Sequence, residues 1–417
     1  MSNPYPYQIK NNVLKNRLVQ LILLSAVLYG CREQAGKKIA SDAATQPPVE
    51  VFQVGYADKM TAIKYESAIN TFFNRNLGAR GFNGSWLVAK DGEIISEGYK
   101  GYRDPLQKDS VLTSTDAFHL ASVSKTFTAM AVLKLWEEGK LSLDADLSTF
   151  FDEFPYPGTT VKMLLNHRSG LPNYTNYLDV YKWDKKKQAT NLDVLTTLYT
   201  LKPGLQFPTG KRFSYCNTNY ALLALIIEKV SGQTYHDYLT NTFFRPLQMN
   251  DTYVFREVDF ERSLPSFEWN NRKYGLEFMD LVYGDKNIYS TVRDMLKWDQ
   301  ALYSNKLFKD STLLAAFSGY SYEKAGTRNY GLGWRLTEVE NGKKIVYHNG
   351  WWHGNNTVFI RLPEENATII VLGNKFNRGI YKAKQLCDLF GDYRQSNNRF
   401  QDKETENNET MVGGGSN

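Results

Sequence analysis

The hydrophobic pattern changes from a helical to a strand period near the start of the globular part of the chain. Residues 58–76, DKMTAIKYESAINTFFNRN, place apolar side chains at helical spacing and predict a helix. The following stretch, SWLVAK-DG-EIISEGYKGY, contains two strand-like runs joined by Asp91-Gly92. An Asp-Gly pair between two such runs is a strong signal of a tight β-hairpin. The sequence therefore predicts a helix followed by an antiparallel pair of strands.

A second group of strand-like runs lies near the C-terminal end. YGLGWRLTEVE and KKIVYHNG are joined by another hairpin signal, Asn341-Gly342, and NTVFIRLP and ATIIVLGNK follow. After these four predicted strands, RGIYKAKQLCDLF predicts a final helix. Residues 393–417 are polar and rich in glycine at the end, and we expect them to be a disordered tail.

The stretch between the two groups of strands, at about residues 141–302, is mostly helical in pattern. ALLALIIEKVSG and TVRDMLKWDQAL are its clearest helices. Because strands come from both chain ends, we expect one antiparallel sheet that both ends complete, with helices flanking it. The predicted fold class is α/β (α+β), as a single domain over residues 51–392 with an inserted, mostly helical subdomain.

The first 30 residues have the pattern of a secretion signal. Lys10, Lys15 and Arg17 precede LVQLILLSAVLYG, an uncharged, mostly apolar run that is too short to span a bilayer. The run ends in Gly30-Cys31, which resembles the cleavage box of bacterial lipoproteins. We expect a signal over residues 1–30, lipidation of Cys31 and a polar tether over residues 31–50. An uncleaved apolar anchor is the alternative.

Composition and charge narrow the range of functions. The 417 residues carry 50 basic and 44 acidic side chains, a net charge of +6, which is not the footprint of a nucleic-acid-binding protein. His348 and His353 have no Cys or carboxylate cluster near them in the sequence, so we predict no metal site and no cofactor. With Cys31 assigned to lipid, we expect Cys216 and Cys387 to be buried free thiols, and one disulfide is the alternative.

One cation lies in an otherwise apolar segment. FHLASVSKTFTAMAVLKLWEEGK, residues 118–140, is apolar on nearly every helical face around Lys125, which predicts a buried helix. Ser122 and Lys125 are three residues apart and share a helix face. Burial favours the neutral form of an amine, and a neutral amine beside a serine hydroxyl can take its proton. The alternative is structural, with Ser122 capping the helix and Lys125 extending to solvent.

Two further segments favour the catalytic interpretation. Tyr215-Cys216-Asn217 precedes a strongly apolar helix, and HNGWWHGN begins at the end of a predicted strand. In this order Ser-x-x-Lys, Tyr-x-Asn and His-x-Gly resemble the serine β-lactamase and penicillin-binding protein superfamily. The branch that they resemble most contains class C β-lactamases, D-alanyl-D-alanine carboxypeptidases and esterases. VKMLLNHRSGLPNY, NIYSTVRDMLKWDQAL and YGLGWRL extend the resemblance over most of the mature chain. It implies a β-lactamase/transpeptidase-like fold, with the site in the cleft between the α/β part and the helical part.

The resemblance implies roles for individual residues. Ser122 matches the serine that becomes acylated, and Lys125 matches the base that shares its proton. Tyr215 matches the tyrosine that passes a proton to the leaving group, and Asn217 matches the asparagine that hydrogen-bonds the substrate amide. The backbone N–H groups of Ser122 and Trp351 are the expected oxyanion hole. Together these residues imply nucleophilic catalysis through an acyl-serine.

The third motif is His348-Asn349-Gly350, the histidine form of a motif that is otherwise Lys-Thr-Gly. The resemblance implies that these residues bind substrate, and the histidine form is more typical of carboxypeptidases and esterases. We expect His348 to hydrogen-bond Tyr215 or a substrate carboxylate and to titrate at about pH 6.5, the ordinary histidine value. Gly350 is expected to leave room for a substrate that lies along the strand.

The resemblance implies a serine hydrolase that acts on amide or ester bonds, most closely a D-alanyl-D-alanine carboxypeptidase-like or esterase-like enzyme. A true β-lactamase is one alternative, and a penicillin-binding sensor or scaffold with slow or no turnover is an alternative of another class. We expect a monomer, exported and attached to the membrane by its lipid, that faces the periplasm or cell surface. Its substrate would be a small molecule or derived from peptidoglycan, and we expect the insert VDFERSLPSFEWNNRKYG to shape the cleft wall that selects it.

Overall fold

The computed structural model describes residues 52–395, except residues 79–80, 304–306 and 324–325. The predicted secretion signal, Cys31 and the tether lie outside the described residues, as does the predicted tail from residue 396 onward. Within the described ranges, none of the helices combines the length and the apolar character needed to cross a membrane.

The part of the chain that the structure describes contains eleven strands, nine α-helices, several 3₁₀ helices and a π-helical segment at Thr240–Phe244. The strands are β1 (Gly55–Tyr56), β2 (Gly84–Lys90), β3 (Glu93–Lys100), β4 (Phe118–His119), β5 (Tyr253–Val254), β6 (Ile288–Ser290), β7 (Arg328–Tyr330), β8 (Arg335–Glu338), β9 (Lys344–Trp352), β10 (Asn355–Leu362) and β11 (Ala367–Gly373). The α-helices are α1 (Lys59–Asn76), α2 (Ser124–Glu137), α3 (Val161–Leu165), α4 (Tyr174–Val180), α5 (Asn191–Leu201), α6 (Asn217–Ser231), α7 (Tyr235–Leu239), α8 (Val292–Ala301) and α9 (Asp310–Ala316).

The main sheet has eight strands in the order β1-β3-β2-β11-β10-β9-β8-β7. All neighbouring strands are antiparallel apart from β1 and β3, which run parallel. Strands from the two chain ends meet where β2 pairs with β11, from Gly84 opposite Gly373 to Lys90 opposite Ala367. The prediction of a sheet completed by both chain ends is therefore confirmed.

The predicted N-terminal elements are present where the pattern indicates them. α1 begins after Asp58, whose carboxylate accepts the backbone N–H groups of Met60 and Thr61. In the hairpin turn between β2 and β3, Asp91 and Gly92 have φ angles of 52° and 82°. Positive φ at both positions is the geometry of a type I′ turn, which matches the twist of the two strands.

Three elements differ from the expectation. YGLGWRLTEVE is not one strand: it contains the last residue of β7 and all of β8, with a turn at Gly331 and Gly333 between them. A Cβ on Gly333 would lie 2.2 Å from the Cβ of Ala129 in α2. The C-terminal helix Arg378–Leu389 is wound as a 3₁₀ helix. A second sheet has three strands in the order β4-β6-β5. β5 and β6 belong to the segment predicted to be mostly helical, and β6 pairs with β4, which lies just before Ser122.

The main sheet has a hydrophobic core on each face. One core contains α1, the C-terminal 3₁₀ helix and alternate strand residues such as Tyr347 and Val358. The other contains α2, α6 and the remaining helices, together with Val346 and Phe359. α2 lies inside this second core, as its all-round apolar sequence predicts. Cys216 and Cys387 are both buried free thiols, which confirms the expectation for them.

Candidate active site

Ser122 lies in the 3₁₀ turn Ala121–Val123, directly before α2, and its side chain is 8% exposed. Ala121 has a φ angle of 48°, a left-handed conformation that costs energy for a residue with a side chain. Three hydrogen bonds hold this turn. Ala121 N–H donates to His119 Nδ1 at 3.0 Å. Leu120 takes part in the other two: its carbonyl accepts from Thr357 Oγ1 at 2.7 Å, and its N–H donates to the Ile288 carbonyl at 2.8 Å. The fold thus fixes a strained turn that presents the Ser122 hydroxyl.

His119 is suited to its role as acceptor in this turn. Burial lowers the pKa of His119 to about 4, so the ring is neutral at neutral pH. Because Nδ1 accepts the Ala121 N–H, Nε2 carries the ring proton and donates to Asn287 Oδ1 at 3.1 Å. No pattern in the sequence indicates His119 or Asn287 as a support of the turn.

Lys125 is the second residue of α2, and its side chain is fully buried. Its Nζ lies 3.0 Å from Ser122 Oγ and donates to the carbonyl oxygen of Asp285 at 2.7 Å. The structural alternative is wrong on both counts: Lys125 does not extend to solvent, and α2 has Val123 at its N-cap without a side-chain cap. A serine hydroxyl and a buried amine are therefore in direct contact, the arrangement that activates a nucleophile.

Two basic side chains, Lys125 and Arg335, lie close to the ring of Tyr215. Lys125 Nζ is 4.9 Å from the centroid of the Tyr215 ring, and the Arg335 guanidinium carbon is 5.1 Å from it. The ring of His167 lies 4.3 Å away, centroid to centroid. Burial, followed by the charge of Lys125, holds the pKa of His167 well below its ordinary value, so His167 adds no charge at neutral pH.

Asn217 is the first residue of α6 and is half-buried. Its backbone N–H donates to Asn173 Oδ1 at 3.3 Å, and Asn173 directly precedes α4. The resemblance indicates Asn217 for substrate binding, whereas the contact with Asn173 is seen only in the structure. The contact brings the segment Asn173-Tyr174 to the Tyr-x-Asn motif and makes it part of the same site.

Strand β9 forms the other wall, and alternation along it decides which side chains face Ser122. Val346 belongs to the core on the α2 face and Tyr347 to the opposite core. Since alternate residues share a face, His348 and Gly350 lie on the α2 face and the Asn349 side chain points away from it. Asn349 and Trp351 could therefore contact a substrate only through backbone groups.

Gly350 is required for a different reason from the one expected. A Cβ at this position would lie 2.3 Å from the Leu120 carbonyl oxygen, 2.3 Å from Thr357 Oγ1 and 3.1 Å from the Cβ of Ala121. The missing side chain thus allows β9 to pack against the turn that carries Ser122. The space that a side chain would occupy is protein, and a role of Gly350 toward a substrate that lies along the strand stays a prediction.

His348 also departs from its expected role. Its side chain is 0% exposed, and burial, with the nearby charges of Arg335 and Lys125, holds its pKa well below the ordinary value. A carbonyl can only accept, so Nδ1 donates to the Asn349 carbonyl (2.6 Å) and Nε2 accepts from the Tyr330 hydroxyl (3.1 Å). With both nitrogens engaged in this way, His348 does not donate to Tyr215, and it does not titrate at about pH 6.5.

The turn after β9 is held by the carboxylate of Asp280, five residues beyond the end of the stretch VDFERSLPSFEWNNRKYG. Asp280 accepts Trp352 Nε1–H at 2.7 Å and lies 2.9 Å from His353 Nε2. Burial lowers the pKa of His353, but the hydrogen bond and charge of Asp280 more than offset it and leave the pKa raised. His353, when protonated, therefore forms an ion pair with Asp280. The sequence indicated neither the pair nor Asp280.

The insert VDFERSLPSFEWNNRKYG lines a cavity, and its role in selecting a substrate stays a prediction. This cavity has a volume of about 450 Å³, and its walls include residues 263–266 and 273–276, together with His119, Trp352 and His353. His119 supports the Ser122 turn, and Trp352 ends β9. The cavity consequently adjoins two of the segments that form the site.

Comparison with known proteins agrees with this geometry. The family model described as beta-lactamase matches residues 73–385. The chain belongs to the β-lactamase family. It is a member of the β-lactamase/transpeptidase-like superfamily of serine hydrolases, which act on amide or ester bonds.

Relatives of this β-lactamase-family chain include two penicillin-binding proteins of Bacillus subtilis (strain 168). One is 32% identical over 353 residues, covering 79% of this chain and 77% of the relative. The other, described as a putative penicillin-binding protein, is 31% identical over 292 residues, covering 66% of this chain and 68% of the relative.

Solved structures share the fold. A D-amino acid amidase from Ochrobactrum anthropi SV3, complexed with D-phenylalanine, superposes with a TM-score of 0.65 at 23% identity, covering 79% of this chain and 99% of that one. An octameric penicillin-binding protein homologue from Pyrococcus abyssi superposes with a TM-score of 0.66 at 25% identity, covering 76% and 75%. The predicted fold class and family resemblance are confirmed.

Proposed function

We propose that this protein forms an acyl-enzyme on Ser122 during hydrolysis of amide or ester bonds. The observation that carries the proposal is the contact between Ser122 Oγ and the buried Lys125 Nζ, at 3.0 Å. An amine in that position can accept the hydroxyl proton as Oγ attacks a carbonyl carbon.

In the proposed reaction, the Oγ–C bond forms as the Ser122 proton passes to Lys125. The bond from the carbonyl carbon to the leaving nitrogen or oxygen then breaks, and the leaving atom receives the proton through Tyr215. Lys125, once it carries the Ser122 proton, and Arg335 both lie close to the Tyr215 ring, and their positive charges stabilise negative charge on the Tyr215 oxygen during this transfer. Water subsequently hydrolyses the acyl ester. The backbone N–H groups of Ser122 and Trp351 remain our prediction for the oxyanion hole.

The finer assignment is a D-alanyl-D-alanine carboxypeptidase-like or esterase-like enzyme, with β-lactamase activity as the alternative. Two features support it: the histidine form of the third motif, and the relative at 32% identity, which is a penicillin-binding protein. Asn217, half-buried at the start of α6, is the proposed partner of the substrate amide.

We also propose export and lipidation of Cys31, on the basis of the basic and apolar pattern before it. In this proposal the hydrolase body remains at the membrane, facing the periplasm or the cell surface. Its substrate would be a small molecule or derived from peptidoglycan.

The test combines a fluorescent penicillin, which reports acylation, with a chromogenic ester, which reports turnover. We expect Ser122→Ala to abolish both signals and Lys125→Ala to lower the acylation rate by at least about a hundredfold, the low end for a general base. Ser124→Ala is the matched control, because Ser124 Oγ accepts the Ile288 N–H and has a structural role two residues away. The control should still be labelled.

Two results would change the proposal. Ester turnover by Ser122→Ala at the wild-type rate would remove Ser122 as the nucleophile. A stable penicillin adduct on wild-type protein that releases no product from esters or amides would instead favour the sensor function.

A further inference from the structure

A second buried lysine lies one peptide unit from the contact that supports Lys125. Lys286 is 2% exposed, and its Nζ lies 3.6 Å from Asp285 Oδ1. The same Nζ donates to the Tyr174 hydroxyl and lies over the ring of Trp352, 4.7 Å from its centroid. A cation buried so close to the site needs a reason, because removing an ammonium from water is expensive.

Asp285 contacts both lysines through different groups. Its backbone carbonyl accepts a hydrogen bond from Lys125 Nζ at 2.7 Å. Its carboxylate is buried, with Oδ2 accepting the Tyr174 hydroxyl at 2.8 Å and Oδ1 facing Lys286. The residue whose backbone carbonyl binds Lys125 therefore also carries a buried carboxylate.

We propose that Lys286 and Asp285 form a positioning pair for Lys125, in which Lys286 cancels the Asp285 carboxylate charge so that Lys125 can act as a neutral base. The inference rests on the proposed function, and it concerns how the base is kept available. Without Lys286, the carboxylate of the residue whose backbone carbonyl binds Lys125 would be an uncompensated buried charge. A negative charge near an amine favours the protonated form, which cannot act as a base.

Tyr174 completes the pair. Its hydroxyl accepts from Lys286 and donates to Asp285, so it links the two charges through one oxygen. Burial and the Asp285 charge hold the pKa of Tyr174 well above its ordinary value, and it remains a neutral phenol. The backbone N–H of Tyr174 donates to Thr218 Oγ1 at 2.7 Å, which ties the pair to the start of α6, where Asn217 lies.

Other ionisable groups face these residues from the surrounding elements. Those around Lys125 are Tyr215, Tyr220, His167, His348 and Arg335. Those around the pair are Tyr174, Asp280, His119, His353 and Tyr235. All of them are retained in the variants below, so differences among those variants report the pair itself.

The test compares acylation by a fluorescent penicillin across pH in the full chain. Lys286→Met should lower acylation at neutral pH by at least about tenfold and move the acid limb of the profile up by about one pH unit, the lower end for a nearby charge. The double variant Asp285→Asn, Lys286→Met removes both charges and should return the limb toward its wild-type position. Lys286→Arg keeps the cation and should resemble wild type. A purely structural role predicts no shift of the limb and a double variant at least as impaired as the single one.

A second measurement does not depend on catalysis. NMR titration of protein enriched with ¹³C at lysine Cε, with the Lys125 signal assigned by Lys125→Arg, should show a higher Lys125 midpoint in Lys286→Met than in wild type. If Lys286→Met does not fold, Asp285→Asn should show the opposite shift, because it leaves the Lys286 cation uncompensated. Unchanged Lys125 midpoints in the folded variants overturn the inference. Shifted midpoints in a protein that is never acylated would overturn the proposed function and leave the pair standing.

Discussion

His348 and His353 lie five residues apart, one within β9 and the other in the turn that follows it, yet their pKa values move in opposite directions. Both side chains are largely buried. The pKa of His348 is held well below the ordinary value by burial and by two cations, whereas Asp280 raises the pKa of His353. Burial lowers the pKa of both rings, and the neighbouring charges either add to this lowering, as at His348, or outweigh it, as at His353.

The two histidines mark two parts of β9 and its following turn that have different roles. At the His348 end, neutral side chains and Gly350 allow β9 to pack tightly against the Ser122 turn. At the His353 end, an ion pair holds the turn that closes the β9–β10 hairpin beside the cavity. Changes at the second end should consequently act on stability, and changes at the first end on acylation.

The largest expected effect is at Asp280. Asp280→Ala leaves His353 and the Trp352 indole N–H without their buried acceptor, so the free energy of unfolding should fall by about 3–5 kcal/mol. Urea denaturation measures the change. His353→Gln is the matched variant, since it removes the charge but leaves the Trp352 contact, and it should cost less. Equal stability of Asp280→Ala and wild type would contradict the role of the pair.

The same pair predicts a pH window. The raised pKa of His353 means that its contribution is fully present below about pH 6.5, the unfolded value, and is lost as pH rises through the folded pKa. The lowered pKa of Asp280 means that its contribution is present above about pH 3.9 and is lost as pH falls through the folded pKa. The difference in free energy of unfolding between wild type and Asp280→Ala should therefore be largest between about pH 3.9 and about pH 6.5.

A smaller loss is expected at Gly350. Gly350→Ala places a Cβ against the Leu120 carbonyl and Thr357 Oγ1, so it should destabilise the protein by about 1–3 kcal/mol and displace the Ser122 turn. We expect the acylation rate to fall in the same variant. Gly204→Ala is the control, because a Cβ there meets no atom within 4 Å. Wild-type acylation by Gly350→Ala would show that the close packing is not needed.

The smallest effect concerns the pH dependence contributed by His348. Since His348 stays neutral, the acylation profiles of wild type and His348→Gln should have the same shape around pH 6.5, the ordinary value. The rate itself should fall modestly through loss of the contact with Tyr330. An ionisation near that pH that disappears in His348→Gln would return His348 to the role that the sequence suggested.

The parts of the molecule that depend on local pattern were predictable from the sequence. α1 follows from helical spacing, and the β2–β3 hairpin follows from its Asp91-Gly92 pair. The contact between Ser122 and Lys125 follows from their three-residue spacing, although Ser122 lies in the 3₁₀ turn before α2. The break between β7 and β8 was not predictable, because it depends on how closely Gly333 approaches Ala129, far away in the sequence.

The same distinction applies within the site. The neutral state of His348 and the ion pair of His353 depend on Arg335 and Asp280, which reach them only in the folded chain. Asp285 supports Lys125 through a backbone carbonyl, which any residue type carries, so its side chain gave no signal of that contact. The sequence shows the adjacent charges of Asp285 and Lys286, but only the folded structure shows that both are buried near Lys125.

The most direct test of the account locates the acyl group. The full chain is incubated with a penicillin, quenched, digested and analysed by mass spectrometry, with Ser122→Ala treated in parallel. The account predicts one added acyl mass on the peptide that contains Ser122 in wild type, assigned to Ser122 by fragmentation, and an unmodified peptide in Ser122→Ala. An adduct on another residue in wild type, or an equal adduct in Ser122→Ala, would contradict it.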